Sequence, residues 1–245
     1  MFSSQSAKAL GCVHIANTDG KDFYMSDTAK RDEFSANERI IFIDHPLVQH
    51  KISLLRDKET RTREFRSLVK EITMLEGYEA LRDAPLAMAD VETPLIKCRT
   101  PILAGLSPAV VPILRAGLTM TEGFLSLLPT AKVGHIGLCR DPETHQPQEY
   151  YCKLPSTIED RLVLVLDPIL ATGGSSSFAL SLIKRHGGKR IKFMCIIAAP
   201  EGLRKLSADH PDVPIYVGHL DDRLNENAYI LPGLGDAGDR IFGTV

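Results

Sequence analysis

Residues 161–177 read RLVLVLDPILATGGSSS, and they decide the fold. Leu162–Leu166 is a short, unbroken apolar run holding Val163 and Val165, the pattern of a strand buried on both faces. It ends in Asp167. Pro168, Ile169, Leu170 and Ala171 then make a short loop that leads into Thr172-Gly173-Gly174-Ser175 and a helix. The first turn of a helix leaves its N–H groups without intrahelical partners, and its dipole favours an anion there. Glycines let the backbone approach a phosphate closely, and the Thr172 and Ser175 hydroxyls add donors. The segment therefore predicts a site for a phosphate monoester. It is not a Walker loop, because no lysine follows the glycines, and it is not a GxGxxG turn. The bland reading is a strand–turn–helix with a serine cap. Asp167 argues against it: a carboxylate ending an apolar strand is poorly explained by packing, but suits sugar hydroxyls or a metal.

Working outward, the same alternation repeats. AVVPIL, VGHIGLC, IKFMCIIAA and PIYVGHL read as strands, separated by helical stretches that include Met120, Phe124 and Leu128, and Glu201–Asp209. Continuous apolar strands between helices predict an α/β fold with a parallel sheet covered on both faces. Such sheets bind ligands beyond the carboxyl ends of their strands. Arg115 and Arg140 each follow a strand and would emerge at that edge, where a planar guanidinium suits diphosphate oxygens. Upstream, Pro46 opens a helix carrying Val48, Ile52 and Leu55 on one face. Phe65, Leu68, Val69, Ile72 and Leu75 form the stripe of a second helix. The segment from Asp83 to Pro108, rich in proline, reads as irregular strands and turns forming a small hood or flap. Residues 1–38 are polar and weakly periodic, an extension expected to be partly disordered, before a single domain over 39–245. A polar loop separates Arg140 from Arg161, and its His145 reads as a solvated histidine. Near the end, Tyr229 to Asp239 holds three glycines in six residues, a loop whose backbone can approach a flat ligand.

Composition narrows the classes. The net charge of -2 offers no whole-molecule field for nucleic acid or an anionic membrane. Cys12, Cys98, Cys139, Cys152 and Cys195 are scattered, without zinc spacing or a disulfide framework, which suits a reducing compartment. Cys195 reads as a small buried hydrophobe. No apolar stretch approaches the length of a membrane span. A cytoplasmic location is expected.

DPILATGGS resembles the phosphoribosyl diphosphate loop of type I phosphoribosyltransferases, and its Asp-Pro variant resembles the uracil-specific branch. HPLVQHKISLLRD, VPILRAGL, GLCRDPET, AAPEGL and YILPGLGDAGDRIFGT are similar to the same branch, over roughly residues 40–245. The resemblance implies transfer of 5-phosphoribosyl from phosphoribosyl diphosphate to N1 of uracil, giving UMP. It implies that Arg115 and Arg140 contact the diphosphate, and that Asp167 and Thr172–Ser175, with Pro168–Ala171, hold the ribose phosphate. Ile230, Gly235 and Ala237 would contact the base, with Tyr229 as a wall, and Asp236 would lie near the ribose and metal. Arg140 and Asp236 are the candidate catalytic groups. Pro168 stands where the wider family has a second acid, so Mg2+ would ride mainly on the diphosphate, with Asp236 as a further ligand. The resemblance also implies a homodimer or homotetramer, and in some members activation by GTP. The basic cluster Lys51, Arg56, Lys58, Arg61, Arg63 and Arg66 could receive such an effector, or be a solvated face. A nucleotide-sensing RNA-binding regulator on this fold, a transferase for another base, and a kinase-like protein are the competing readings. The charge, the intact arginines and the missing Walker lysine weigh against them.

Overall fold

The computed structural model describes residues 31–140 and 147–244, and in it the apolar runs of the sequence become one central sheet. The chain opens with β1 (Ile40–Phe42), α1 (Pro46–Arg56) and α2 (Thr62–Ala80). A hairpin follows, β2 (Leu86–Glu92) and β3 (Lys97–Leu103). Then come β4 (Ala109–Leu114), α3 (Leu118–Leu127), β5 (Lys132–Val133), β6 (His135–Arg140) and β7 (Pro147–Lys153). Next are β8 (Leu162–Leu166), β9 (Ile169–Leu170), α4 (Gly174–Arg185), β10 (Arg190–Ala198) and α5 (Pro200–Asp209). The chain closes with β11 (Ile215–Leu220), β12 (Arg223–Leu224), β13 (Ile230–Leu231) and α6 (Ala237–Phe242). The main sheet runs β1-β11-β10-β8-β4-β6-β7, with β5 beside β4 and β9 beside β10.

Strand periodicity explains the layers. Val163 and Val165 of β8 face the same core as Val111, Phe193, Cys195 and Val217, under Leu180, Ile183, Leu203 and Leu206 of α4 and α5. Leu164 and Leu166 face the opposite core with Val110, Met194 and Ile196, under Ile52, Phe65, Val69, Ile72, Met120 and Phe124 of α1–α3. Successive side chains of a strand point to opposite faces, so a sheet covered on both sides demands an unbroken apolar run. The early helices form as their stripes predict. Pro46 takes the first turn of α1, and the Nδ1 of His45 accepts the Leu47 N–H at 3.2 Å, capping it. In α2, Phe65, Leu68, Val69 and Ile72 are buried and Leu75 is partly so.

Two expectations about strands need correction. The sheet is not wholly parallel: β7 pairs antiparallel with β6 at its edge. The segment expected to be irregular is a regular antiparallel hairpin, running from Leu86 opposite Leu103 to Glu92 opposite Lys97. Pro101 is tolerated there because each strand of a two-stranded ribbon has a free edge. Residues 31–38 pack on the domain: Phe34 is buried in the core and Glu33 pairs with Arg204. Residues 1–30, with Cys12, lie outside the described residues. Cys98, Cys139, Cys152 and Cys195 are unpaired, and burial pushes the Cys195 thiol well up. The basic cluster is not one uniform face. Lys51 pairs with Glu71 and Arg56 with Asp221, while Lys58, Arg61, Arg63 and Arg66 are exposed. Among the described residues no helix is long and apolar enough to cross a membrane.

Glu76 of α2 is wholly buried and neither carboxyl oxygen has a hydrogen-bond partner. Burial raises its pKa well above the ordinary 4.5, so the fold holds it neutral. The unfolded chain releases that proton, so this residue costs stability as pH rises above the unfolded value, at about 1.4 kcal/mol per pH unit until the folded pKa is passed. Glu76→Met is therefore expected to raise the melting temperature at pH 8, with the gain shrinking toward pH 4.5. Thermal denaturation of both proteins across that range checks it; a pH-independent difference would contradict a buried neutral acid.

Candidate active site

The strand order reverses between β4 and β8. From β4 the chain crosses through α3 to β6 on one side, while β8 lies on the other side and leads through α4 to β10 and then β11. Loops leaving the carboxyl ends of β4 and β8 diverge there and open a crevice. Arg115 directly follows β4, and Asp167 directly follows β8.

Asp167 is poised. Its Oδ1 accepts the Ile169 N–H at 3.3 Å. Loss of hydration raises its pKa to about 7, against which that single backbone donor acts only weakly. The carboxyl therefore sits between its two forms at neutral pH. Beyond it, the start of α4 is open. Gly173 is the N-cap, in the left-handed region at φ 78, and no side chain caps the helix. The helix begins at Gly174, so the loop's own Gly174 and Ser175, with Ser176, supply the first turn, and the serine cap of the bland reading does not form. Thr172, Gly174 and Ser175 are half-buried, neither sealed nor fully solvated. Gly173 is needed twice over: its backbone angle disfavours other residues, and a Cβ there would lie 2.8 Å from the carbonyl oxygen of Gly202. Gly202 of α5 in turn lies so close that its own Cβ would come within 2.3 Å of the Ala171 carbonyl. Helix α5 thus braces the loop from behind, a role that the glycine of the PEGL motif gave no sign of.

The loop residues divide. Ile169 and Ala171 line a cleft of about 410 Å³. Pro168 and Leu170 do not line it. The Pro168 carbonyl accepts the N–H groups of Ile196 and Ile197, each at 3.1 Å, and Leu170 is fully buried with its carbonyl accepting Ala199 N–H at 2.9 Å. These two stitch the loop to β10 instead of presenting side chains to a ligand. The opposite wall is Tyr229, Ile230, Leu234, Gly235, Asp236, Ala237 and Gly238. The sequence-expected Tyr229, Ile230, Gly235, Asp236 and Ala237 therefore face the same space as Ile169 and Ala171. Ala116, Ile197, Asn227, Ala228, Leu234 and Gly238 also line it and were not anticipated. Most are small or apolar and carry no chemical signature; only the position of Ala116 beside Arg115 hinted at its place.

Arg115 stands on the rim. Its Nη2 is 3.5 Å from Asp239 Oδ1, and its guanidinium lies 5.8 Å from the Phe242 ring. A Cβ on Gly238, which lines the cleft, would be 3.8 Å from the same Nη2. Asp236 caps α6 by accepting the Asp239 N–H at 2.9 Å. Arg140 is the last residue of β6; its side chain, like His145, lies outside what the structure describes. Among the described residues no three histidine, cysteine, aspartate or glutamate side chains gather as a metal cage. Asp236 and Asp239 near the cleft instead suit a hydrated magnesium ion that takes one or two carboxylates together with phosphate oxygens.

The comparisons with known proteins agree with this architecture. The family model described as uracil phosphoribosyltransferase matches residues 42–244. The uracil phosphoribosyltransferase of Symbiobacterium thermophilum is 60% identical over 206 residues, covering 84% of this chain and 99% of that protein. That of Agathobacter rectalis is 59% identical over 206 residues, with the same two coverages, 84% and 99%. The solved structure of the AQ2163 protein from Aquifex aeolicus superposes with a TM-score of 0.79 at 41% identity, covering 83% of this chain and 97% of that one. With the family model matching residues 42–244, and a cleft lined by Ile169 and Ala171 of the loop that leads to the open start of α4, this chain belongs to the uracil phosphoribosyltransferase family.

Proposed function

We propose that the chain transfers the 5-phosphoribosyl group of phosphoribosyl diphosphate to N1 of uracil, releasing UMP and diphosphate. The observation that carries this reading is one short loop. It ends at the uncapped first turn of α4, begins at Asp167, and between them places Ile169 and Ala171 in a cleft that Tyr229, Ile230 and residues 234–238 also line. A phosphate binds at the first, ribose hydroxyls at Asp167, and a flat base in the cleft. Backbone groups can read the alternating acceptors and donor of uracil. An amino group in place of O4, as in cytosine, would leave buried donors opposed, at a cost of about 1–3 kcal/mol.

In the reaction the bond from ribose C1 to the diphosphate oxygen breaks, its electron pair leaving with the diphosphate, and the C1–N1 bond forms as N1 loses its proton. Arg115 and Arg140 stabilise the negative charge that gathers on the leaving group. Asp236, a carboxylate of the cleft wall, receives the N1 proton. Magnesium, held mainly by the diphosphate itself, would add positive charge at the same place. Asp167 holds ribose hydroxyls and so fixes C1 between base and leaving group. The same reading includes a cytoplasmic location, which suits the exposed free thiols of Cys98 and Cys139.

A second copy of the chain completes the proposal. The β2–β3 hairpin exposes Leu86, Met88, Val91, Leu95, Ile96, Ile102 and Leu103, with Leu95 95% exposed. A two-stranded ribbon is marginal alone in water, and apolar surface of this extent marks an interface. The exposed cations Lys58, Arg61, Arg63 and Arg66 are the candidate receptors for the phosphates of a GTP effector.

Three outcomes are expected. With radiolabelled bases, uracil yields a nucleoside monophosphate only when magnesium and phosphoribosyl diphosphate are present, while cytosine, hypoxanthine and orotate yield none; the uracil rate is read with and without GTP. No UMP under any of these conditions would sink the reading. The carboxylate of Asp167, the better acceptor for hydroxyls, is lost as pH falls through about 7. KM for phosphoribosyl diphosphate should therefore rise between pH 8 and pH 6. Asp167→Asn should flatten that rise and lower kcat/KM about 10- to 100-fold, the loss of hydrogen bonds to a charged group. Equilibrium sedimentation should show at least a dimer, and Leu95→Lys with Ile96→Lys should shift it to monomer; a monomeric wild-type chain would remove the second copy.

A further inference from the structure

Arg56, Asp221 and Arg240 do not line the cleft, and the mechanism above gives them no step. Asp221 follows β11 and is 1% exposed. Its carboxylate meets both terminal nitrogens of Arg56, Nη1 to Oδ2 at 2.9 Å and Nη2 to Oδ1. Asp221 Oδ2 also accepts the Gly233 N–H at 3.0 Å, and Arg56 Nη1 donates to the Gly233 carbonyl at 2.8 Å. The two peptide groups flanking Gly233 are thus gripped by an ion pair, with His219 Nε2 3.6 Å from the Asp221 Oδ1 on its other side. Arg240 takes the next residue. Its Nη1 donates to the Leu234 carbonyl and to the Leu55 carbonyl, each at 2.8 Å, and its Nη2 to the Asp57 carbonyl at 2.5 Å. The guanidinium is stacked 4.4 Å from the Phe65 ring. Gly233 and Leu234 directly precede Gly235 and Asp236 of the cleft wall, so the wall is tied from behind to the end of α1 and to Phe65 of α2.

We propose that Arg56, Asp221 and Arg240 are positioning residues that set the affinity and selectivity of the site for its base. This inference rests on reading the Tyr229–Gly238 wall as the base site. Its reason is physical. A wall that recognises a base with backbone N–H and C=O groups selects only if those groups cannot shift to suit a mismatched ligand. Backbone of a glycine-rich loop shifts readily. Arg56 and Arg240 each hold one of two consecutive wall carbonyls through Nη1, while their second prongs anchor on Asp221 and on the Asp57 carbonyl, and this removes that freedom. A charge pair buried at this depth is costly unless fully bonded, and apolar packing would serve stability as well. The forked geometry is what apolar packing could not supply.

The test measures KM for uracil and for phosphoribosyl diphosphate separately, together with melting temperature and the kcat/KM ratio of uracil over 4-thiouracil. Arg56→Lys and Arg240→Lys each keep the charge and lose the fork. Each is expected to raise KM for uracil about tenfold, equivalent to about 1.4 kcal/mol, to change KM for phosphoribosyl diphosphate less than twofold, and to shrink the uracil preference. If Arg56→Lys does not fold, Arg240→Lys on α6 and Asp221→Asn read the same effect. A folded variant with unchanged uracil KM overturns the proposal, as does a parallel rise of both KM values that follows the loss of melting temperature. Gly235→Val separates the two readings, because a β-branched residue at φ +79 must displace the wall. If it raises uracil KM and the arginine variants do not, the clamp alone fails. If it too leaves uracil KM unchanged, the base site has been misplaced and the clamp falls with it.

Discussion

Amide groups in the first turn of α4 have no partner within the helix, and the site is arranged around keeping them open. Gly173 caps the helix with backbone alone, and no side chain bonds to the helix's first N–H groups. Its left-handed angle turns the chain sharply between the β9 loop and α4, and α5 presses Gly202 against the turn so that it cannot relax. Pro168 and Leu170 are stitched to β10, which leaves Ile169 and Ala171 facing the cleft. A polar loop at the edge of a buried sheet is ordinarily mobile; here it is held by the sheet on one side and a helix on the other. Binding then need not order it at the moment of encounter.

The electrostatics follow from the same placement. Asp167 sits where β8 stops, deep enough that burial lifts its carboxyl toward neutrality. Arg115 approaches from the neighbouring strand and stays largely in solvent beside Asp239. An anionic substrate would bring charge to Arg115 and hydroxyl donors to Asp167. Glu76 is a different case, a buried acid on the far side of the sheet from α4, whose pKa burial raises well above the ordinary value.

Much of the fold was legible because a parallel sheet covered on both faces leaves a strong mark. β8 appears as an uninterrupted apolar run, β10 and β11 as runs broken only by Lys192 and by Gly218-His219, and α2 as a stripe from Phe65 to Ile72. The hairpin was harder. Its residues alternate neither cleanly nor over a buried face, since nearly all of β2 and β3 is exposed within one chain. Its prolines suggested irregularity that pairing at an edge in fact tolerates. The antiparallel β7 was hidden for a similar reason: PQEYYCK is mostly exposed and carries no core signal.

The loop chemistry of Asp167 to Ser175, the two arginines at strand ends and the glycine-rich terminus were all determined by local sequence, because each depends on residue type and on position relative to one strand or helix. What the tertiary structure decided is which of these face one another. Ile169 meets the Tyr229–Ala237 wall across the cleft, Arg115 comes to rest beside Asp239, and Arg56, far earlier in the chain, closes on Asp221 and Gly233. The last two of these pairings join segments more than a hundred residues apart. They depend on strand order and on the reversal between β4 and β8, and no local pattern of hydrophobicity or turn chemistry encodes that order.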